Sequence, residues 1–317
     1  MTDTQNEVFK TPVNKIRLFE HGAPGSQNLK LTRKYYTEDM PDGRVKHIVQ
    51  NITDPDIVPY IPDGIGNSTD RQRIPAVLII PGGAFRRLVY NFEGEDVAKW
   101  LNSMGIAAFV LECRLPSDVH DNAEDVPLID AMRAMRVIRG RAQEFGIDEA
   151  KIGVMGFSAG GFMAALLSTA YESDVYADYK YKDEYDKLSA RPDFAVCSYP
   201  VISIDDCIEA GKRYMSEEQV LERISDSKAK ILHKYNPDKL VRPDMPPVFI
   251  CETDDDRTTL SENSVGFYMA ARKAGVSAEL HIFRTGGHGY GCGDDFAQTG
   301  EWKVLFTKWI KSIGIIS

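Results

Sequence analysis

Ala76-Val77-Leu78-Ile79-Ile80 is a continuous apolar run with no polar face, the pattern of a strand covered on both sides. Comparable short runs recur at Ile106–Leu111, Ile152–Met155, Phe194–Tyr199, Val248–Cys251 and Ala278–Phe283. Helical periodicity fills the gaps: Glu95–Asn102 before Gly105, Pro127–Phe145 before Gly146, about Ser261–Ala274 before Gly275, and a last helix through Trp302, Phe306 and Ile310. Strand, helix, strand in this order predicts a mostly parallel central sheet flanked by helices, an α/β chain. Apolar residues make up 43% of 317 residues, enough for one large core, and a single domain is expected. Residues 1–74 read as an N-terminal strand and loop extension, with strands at Ile16–Phe19 and Val45–Val49 and a loop over Asp54–Arg73. Residues 173–191 read as a charged surface excursion. Those from about 205 to 240 read as a small helical insertion over the sheet top, a candidate lid. The arginines of Pro127–Phe145 read as a solvated helix face.

A net charge of −9 without a basic stripe argues against nucleic acid as a partner. Nothing approaches a membrane span, and Met1–Pro12 lacks an apolar signal core, so a cytoplasmic protein is expected. The five cysteines are scattered and form no C-x-x-C pair. Cys113, Cys197 and Cys251 read as buried small hydrophobes, and no metal or other cofactor is expected.

Where the third core run ends, the sequence is Gly156-Phe157-Ser158-Ala159-Gly160, followed by helix-forming Phe162–Leu167. G-x-S-x-G between a strand and a helix places a serine on a sharp turn above the carboxyl edge of the sheet, where ligands bind in open α/β folds. A serine needs a base and a site that accepts negative charge. Of six histidines, His288 alone lies in a glycine-flanked loop just past a late buried strand, whereas His120 and His233 fall in polar loops and His281 within a strand. Asp254, Asp255 and Asp256 follow the strand Val248–Cys251, where the acid that orients the histidine is expected, and nothing in the residues themselves chooses among the three. Pro81-Gly82-Gly83-Ala84, ending the first core strand, offers backbone amides with little side chain in the way. The amides of Gly83, Ala84 and Ala159 are therefore the expected oxyanion donors. Phe85, Phe157, Tyr199 and Tyr290 are candidate pocket residues.

These segments, with Arg114-Leu115-Pro116, Tyr199-Pro200-Val201, Pro246-Pro247-Val248-Phe249 and Gly286-Gly287-His288-Gly289, resemble the α/β-hydrolase serine esterases. The closer likeness is to the acetyl-xylan-esterase-like and feruloyl-esterase-like group, and it covers about residues 76–310. The resemblance implies an α/β-hydrolase fold and a Ser158, Asp255, His288 triad, because family members carry the catalytic acid immediately before another Asp. It implies hydrolysis of short acyl esters, acetyl esters of carbohydrates first among them, so a small ester or an acylated oligosaccharide is the expected partner and a homodimer is allowed. Departures are Ala84 in place of a third glycine, Cys251-Glu252 before the acid, and Cys113 where an aromatic is common. The rival readings are a peptidase-like serine hydrolase and a non-catalytic hydrolase-fold binding protein. Peptidases of related fold carry a large N-terminal domain, and about 75 residues are too few for a propeller of several ~40-residue blades.

Overall fold

The computed structural model describes residue 9 and residues 13–65, 73–216, 218–220, 229–293 and 298–317. The stretch Met1–Pro12, on which the absence of a signal was read, therefore lies almost wholly outside the described residues.

Eleven strands are described: β1 (Ile16–Arg17), β2 (Lys34–Asp39), β3 (Val45–Gln50), β4 (Asp56–Tyr60), β5 (Ile74–Ile80), β6 (Leu88–Val89), β7 (Ala107–Glu112), β8 (Ile147–Phe157), β9 (Ala195–Ser198), β10 (Val248–Thr253) and β11 (Ala278–Phe283). Eight form one sheet in the order β1-β4-β7-β5-β8-β9-β10-β11, and β2-β3-β6 form a small antiparallel sheet beside it. From β7 to β11 every pairing is parallel, and only β1 and β4 run against their neighbours. The apolar runs explain the order of burial: β7, β9 and β10 are buried at every position and β5 at all but its first residue, because helices cover both faces.

The N-terminal region departs from expectation. Asp54–Arg73 was expected as loop, yet it contains β4, which joins the main sheet between β1 and β7. Pro59 is tolerated because β1 pairs only with Asp56 and Ile57, so Pro59 needs no ladder bond on that side. The expected strand at Ile16–Phe19 stops at Arg17, and Leu18 and Phe19 turn into the core.

The helix Val126–Gly140 continues through a further turn at Ala142–Phe145 and ends at Gly146 in the left-handed conformation. Arg133, Arg136 and Arg139 are not a solvated face, whereas Arg141 pairs with the exposed Glu144. Arg133 pairs with Asp183 and Asp186 and donates to the carbonyl of Leu18 (2.9 Å). Arg136 and Arg139 donate to the carbonyls of Leu188 and Arg191. They clamp the 173–191 excursion to the body. In the stretch 205–240, Ile204–Tyr214 and Ala229–Lys234 are helical and Pro237–Lys239 forms a tight turn, while residues 217 and 221–228 lie outside the described set. Among the described residues no helix is long and apolar enough to cross a membrane. Cys113, Cys197 and Cys251 are buried free thiols.

Candidate active site

β8 delivers Ser158 to a turn whose backbone is forced into φ 53°, ψ −117°, after which the helix Ala159–Ala170 begins. A non-glycine residue at that φ is strained, and it persists because the surroundings fix both sides of the turn. The Ser158 amide donates to the carbonyl of Ser198 on β9 (3.0 Å), and the amide of Phe162 donates back to the Ser158 carbonyl (3.0 Å). The tight turn also explains the flanking glycines. A Cβ on Gly156 would overlap the Gly160 carbonyl, and one on Gly160 would overlap the Ile80 carbonyl.

His288 arrives on the loop that follows β11. Its Nε2 lies 2.9 Å from Ser158 Oγ, and its Nδ1 lies 2.6 Å from Oδ2 of Asp256. The structure therefore brings together Ser158, His288 and Asp256, not Asp255. The Asp255 carboxylate points out to solvent and accepts the amide of Gly287 (2.8 Å), so it braces the histidine loop from outside. The difference comes from the turn after β10. Asp254 still bonds to β11 through its amide, and the chain then closes with the Asp256 amide on the Thr253 carbonyl, which swings the third carboxylate inward. There it also accepts the amides of Thr258 (2.7 Å) and Thr259 (3.0 Å) and the Thr259 hydroxyl (2.9 Å). Burial favours protonation of Asp256, but His288 and these amide donors outweigh it and hold the carboxyl below the ordinary range.

Ser158 is 8% exposed, so little of it meets solvent. A serine hydroxyl bonded to an imidazole whose far nitrogen faces a carboxylate can pass its proton to the ring as it attacks an electrophile. Beside it, the loop Gly83-Ala84-Phe85 runs through three successive positive φ values, 138°, 57° and 58°, two of them on non-glycine residues. Arg86 and Arg87 donate to the Gly83 carbonyl and close the turn. Ala84 is accommodated here without the third glycine. The amide of Gly82 is already committed to Oε2 of Glu93 (2.8 Å).

The four aromatic candidates are all buried: Phe157 and Tyr199 at 0% exposure, Tyr290 at 4% and Phe85 at 7%. Phe157 packs between Tyr199 and Trp302, and Tyr290 packs edge-on to Tyr199. Phe85 borders an apolar cavity of about 10 Å³ with Ile80, Leu115, Ala159 and Met163. The Tyr199 ring lies edge-on to His288, its centroid 5.1 Å away. Among the described residues no group of three or more His, Cys, Asp or Glu side chains is arranged to hold a metal ion.

Two residues of this site were not singled out from sequence. Asp256 was one of three adjacent carboxylates. Glu93 lies two residues before the expected helix Glu95–Asn102, and its partner Gly82 lies eleven residues earlier, beyond any helical or strand periodicity.

A profile of the BD-FAE family matches residues 65–270, more than half of the chain and all of the segment from β5 to the helix after β10. The chain belongs to the BD-FAE family. An acetylxylan esterase of Xylanibacter ruminicola is 31% identical over 240 residues, covering 75% of this chain and 45% of that protein. An endo-1,4-beta-xylanase B of Butyrivibrio fibrisolvens is 31% identical over 227 residues, 71% of this chain and 34% of that one. The chain thus spans less than half the length of these curated relatives. Among solved structures, an acetyl ester-xyloside bifunctional hydrolase from Caldicellulosiruptor lactoaceticus aligns over 96% of this chain and 97% of its own, with 34% identity and a TM-score of 0.69. An esterase from Thermogutta terrifontis, 24% identical over 93% of this chain and 96% of its own, shares the fold at a TM-score of 0.65. This BD-FAE member has the α/β-hydrolase fold expected from its sequence.

Proposed function

We propose that the chain is a serine carboxylesterase that hydrolyses short acyl esters, with acetyl esters of carbohydrates as the leading substrate class. The observation that carries the proposal is the continuous line from Ser158 Oγ to His288 Nε2 at 2.9 Å and from His288 Nδ1 to Asp256 Oδ2 at 2.6 Å. That line ends on a serine held in a strained turn at a helix N-terminus. The substrate class is supported by the acetyl-ester activity named for two relatives at 31% and 34% identity.

In this reading Ser158 Oγ attacks the ester carbonyl carbon while His288 Nε2 takes its proton, and Asp256 stabilises the imidazolium. The amides of Ala159 and of Gly83 and Ala84 receive the oxyanion, Gly82 being engaged by Glu93. Collapse breaks the carbon–oxygen bond to the alcohol, which leaves with the proton from His288. Water then attacks the acyl-enzyme, gives a proton to His288, and frees the carboxylic acid as the serine regains its proton.

Hydrolysis of p-nitrophenyl acetate by wild type and Ser158→Ala tests the assignment. The variant is expected to lose about 10⁶-fold in kcat, and full activity in it overturns the reading. An acyl-chain series run beside acetylated xylo-oligosaccharides tests the substrate class, and a preference for long chains rejects it.

A further inference from the structure

Glu93 lies in the π-helical turn Asn91–Glu95 that leads into the helix Asp96–Ser103, and only 5% of it is exposed. Such turns recur at functional sites. The turn is anchored to β3 by Asn91, whose side chain accepts the amide of His47 and donates to the carbonyl of Val45. None of the proton transfers described above uses Glu93, yet both its oxygens are occupied by groups that frame the site. Oε2 accepts the amide of Gly82 at 2.8 Å, and Oε1 accepts the hydroxyl of Tyr199 at 2.9 Å. The Tyr199 oxygen in turn accepts the amide of Gly291 at 3.0 Å, three residues past His288, and the Gly291 carbonyl accepts the indole of Trp302 at 3.1 Å.

We propose that Glu93 is a positioning residue for ester hydrolysis, its carboxylate tying the root of the Gly82–Ala84 loop to the segment that carries His288. The proposal rests on the assignment of Ser158, His288 and Asp256 given above.

Donor accounting supports it. An amide can only donate, so Gly82 requires an acceptor. Tyr199 has one proton, which it donates to Glu93 while its oxygen accepts the amide of Gly291. Both Glu93 oxygens must therefore accept, which a carboxylate does and a side-chain amide cannot do on both of its atoms. The loop root also sits directly on the nucleophile turn: a Cβ built on Gly82 would come within 3.0 Å of Ser158 Cβ and 2.7 Å of Glu93 Oε2. A shift of Glu93 is thus transmitted to the amides that face the developing oxyanion on one side. Through Tyr199, whose ring packs on His288, it is transmitted to the base on the other. Burial raises the Glu93 carboxyl above its ordinary range, while the field of His288 acts in the opposite direction, as expected for a charge close to the base.

The test compares wild type, Glu93→Gln, Tyr199→Phe, the double variant and Ser158→Ala on p-nitrophenyl acetate. It also measures inhibition by a trifluoromethyl ketone that forms a tetrahedral adduct, and folding by circular dichroism. Glu93→Gln is expected to lower kcat by roughly 10–100-fold, with KM within about threefold and ketone affinity weakened in step with kcat. Tyr199→Phe is expected to lose about tenfold, and the double variant no more than Glu93→Gln alone, because both cut one tie. Wild-type kcat in either single variant, losses that multiply in the double, or losses that track the unfolded fraction overturn the proposal. If Glu93→Gln fails to fold, Tyr199→Phe decides. An active Ser158→Ala rejects the hydrolase assignment itself. An inactive Ser158→Ala beside a wild-type-like Glu93→Gln rejects only the positioning role.

Discussion

Two aspartates, Asp130 and Asp256, are buried beside a basic side chain, and they differ in what that neighbour is allowed to do. Asp130 faces Arg114, and both side chains are 0% exposed. Arg114 donates to it from its amide (2.8 Å), Nε (3.0 Å) and Nη2 (2.7 Å), and spends Nη1 on Ser26 (2.8 Å) and the carbonyl of Pro24. Guanidinium is always charged, so the basic partner of this pair has one state, and its contacts staple the N-terminal segment to the sheet. Asp256 faces His288, whose side chain is 22% exposed and whose charge is optional. There the carboxylate accepts two amides on Oδ1 and the Thr259 hydroxyl on Oδ2, the oxygen that faces His288, and the imidazole is left one nitrogen for Ser158. A buried carboxylate beside a permanent cation serves as a staple, whereas one beside a titratable ring can support proton transfer.

The contrast breaks most sharply at Asp256. Asp256→Asn is expected to lower kcat on p-nitrophenyl acetate by about 10⁴-fold, because an amide facing Nδ1 favours the wrong tautomer and cannot stabilise the imidazolium. Asp255→Asn retains an acceptor for the Gly287 amide and is expected to stay within about threefold of wild type, since an exposed charge contributes little. Parallel kinetics on the two variants decide between the adjacent carboxylates, and equal losses refute the geometric assignment.

Those adjacent carboxylates show where the sequence stopped being legible. The core strands were readable because β5, β7, β9 and β10 are covered on both faces and keep their polar residues, Glu112, Ser198, Glu252 and Thr253, to their C-terminal ends. β2, with the sequence KYYTED and no fully buried position, had no such signature, and β4 was disguised by Pro59. Ser158 and His288 were legible from glycine-flanked turns at strand ends. Which of Asp254, Asp255 and Asp256 turns inward depends on one hydrogen bond closing the turn at Thr253, a choice of backbone conformation that three identical side chains cannot encode. The family register pointed to Asp255, whereas the carboxylate that meets His288 is that of Asp256.

The staple makes the next largest prediction. Asp130→Ala leaves Arg114 buried without its counter-charge, which costs about 3–5 kcal/mol of stability. Urea unfolding is expected to show this loss while activity per folded molecule is largely preserved. A variant as stable as wild type would mean that the pair contributes nothing to holding the N-terminal segment.

His120 is a titratable neighbour of the staple, and it sharpens the comparison at smaller amplitude. His120 lies in a loop, as expected, and is buried there, with Nδ1 3.0 Å from Ser26 Oγ and Asp118 3.8 Å from Nε2. Burial, with Arg114 adding to it, pushes the imidazole down to about 4 from 6.5. Between those values the unfolded chain binds a proton that the folded one refuses, so this term is intact above about pH 6.5 and is lost as pH falls toward 4. Asp118 acts oppositely: burial raises it to about 6 from 3.8, so the folded state holds a proton the unfolded state has released, and its term weakens as pH rises through that window. The two flatten one another in wild type. His120→Gln removes only the first, so relative to wild type the variant is expected to gain roughly 2 kcal/mol on moving from pH 7.5 to pH 5. Urea unfolding of both proteins at the two pH values measures it. An unchanged difference would mean that His120 stays as free to protonate as in the unfolded chain, leaving the Arg114 staple without a pH-sensitive neighbour on its Ser26 side.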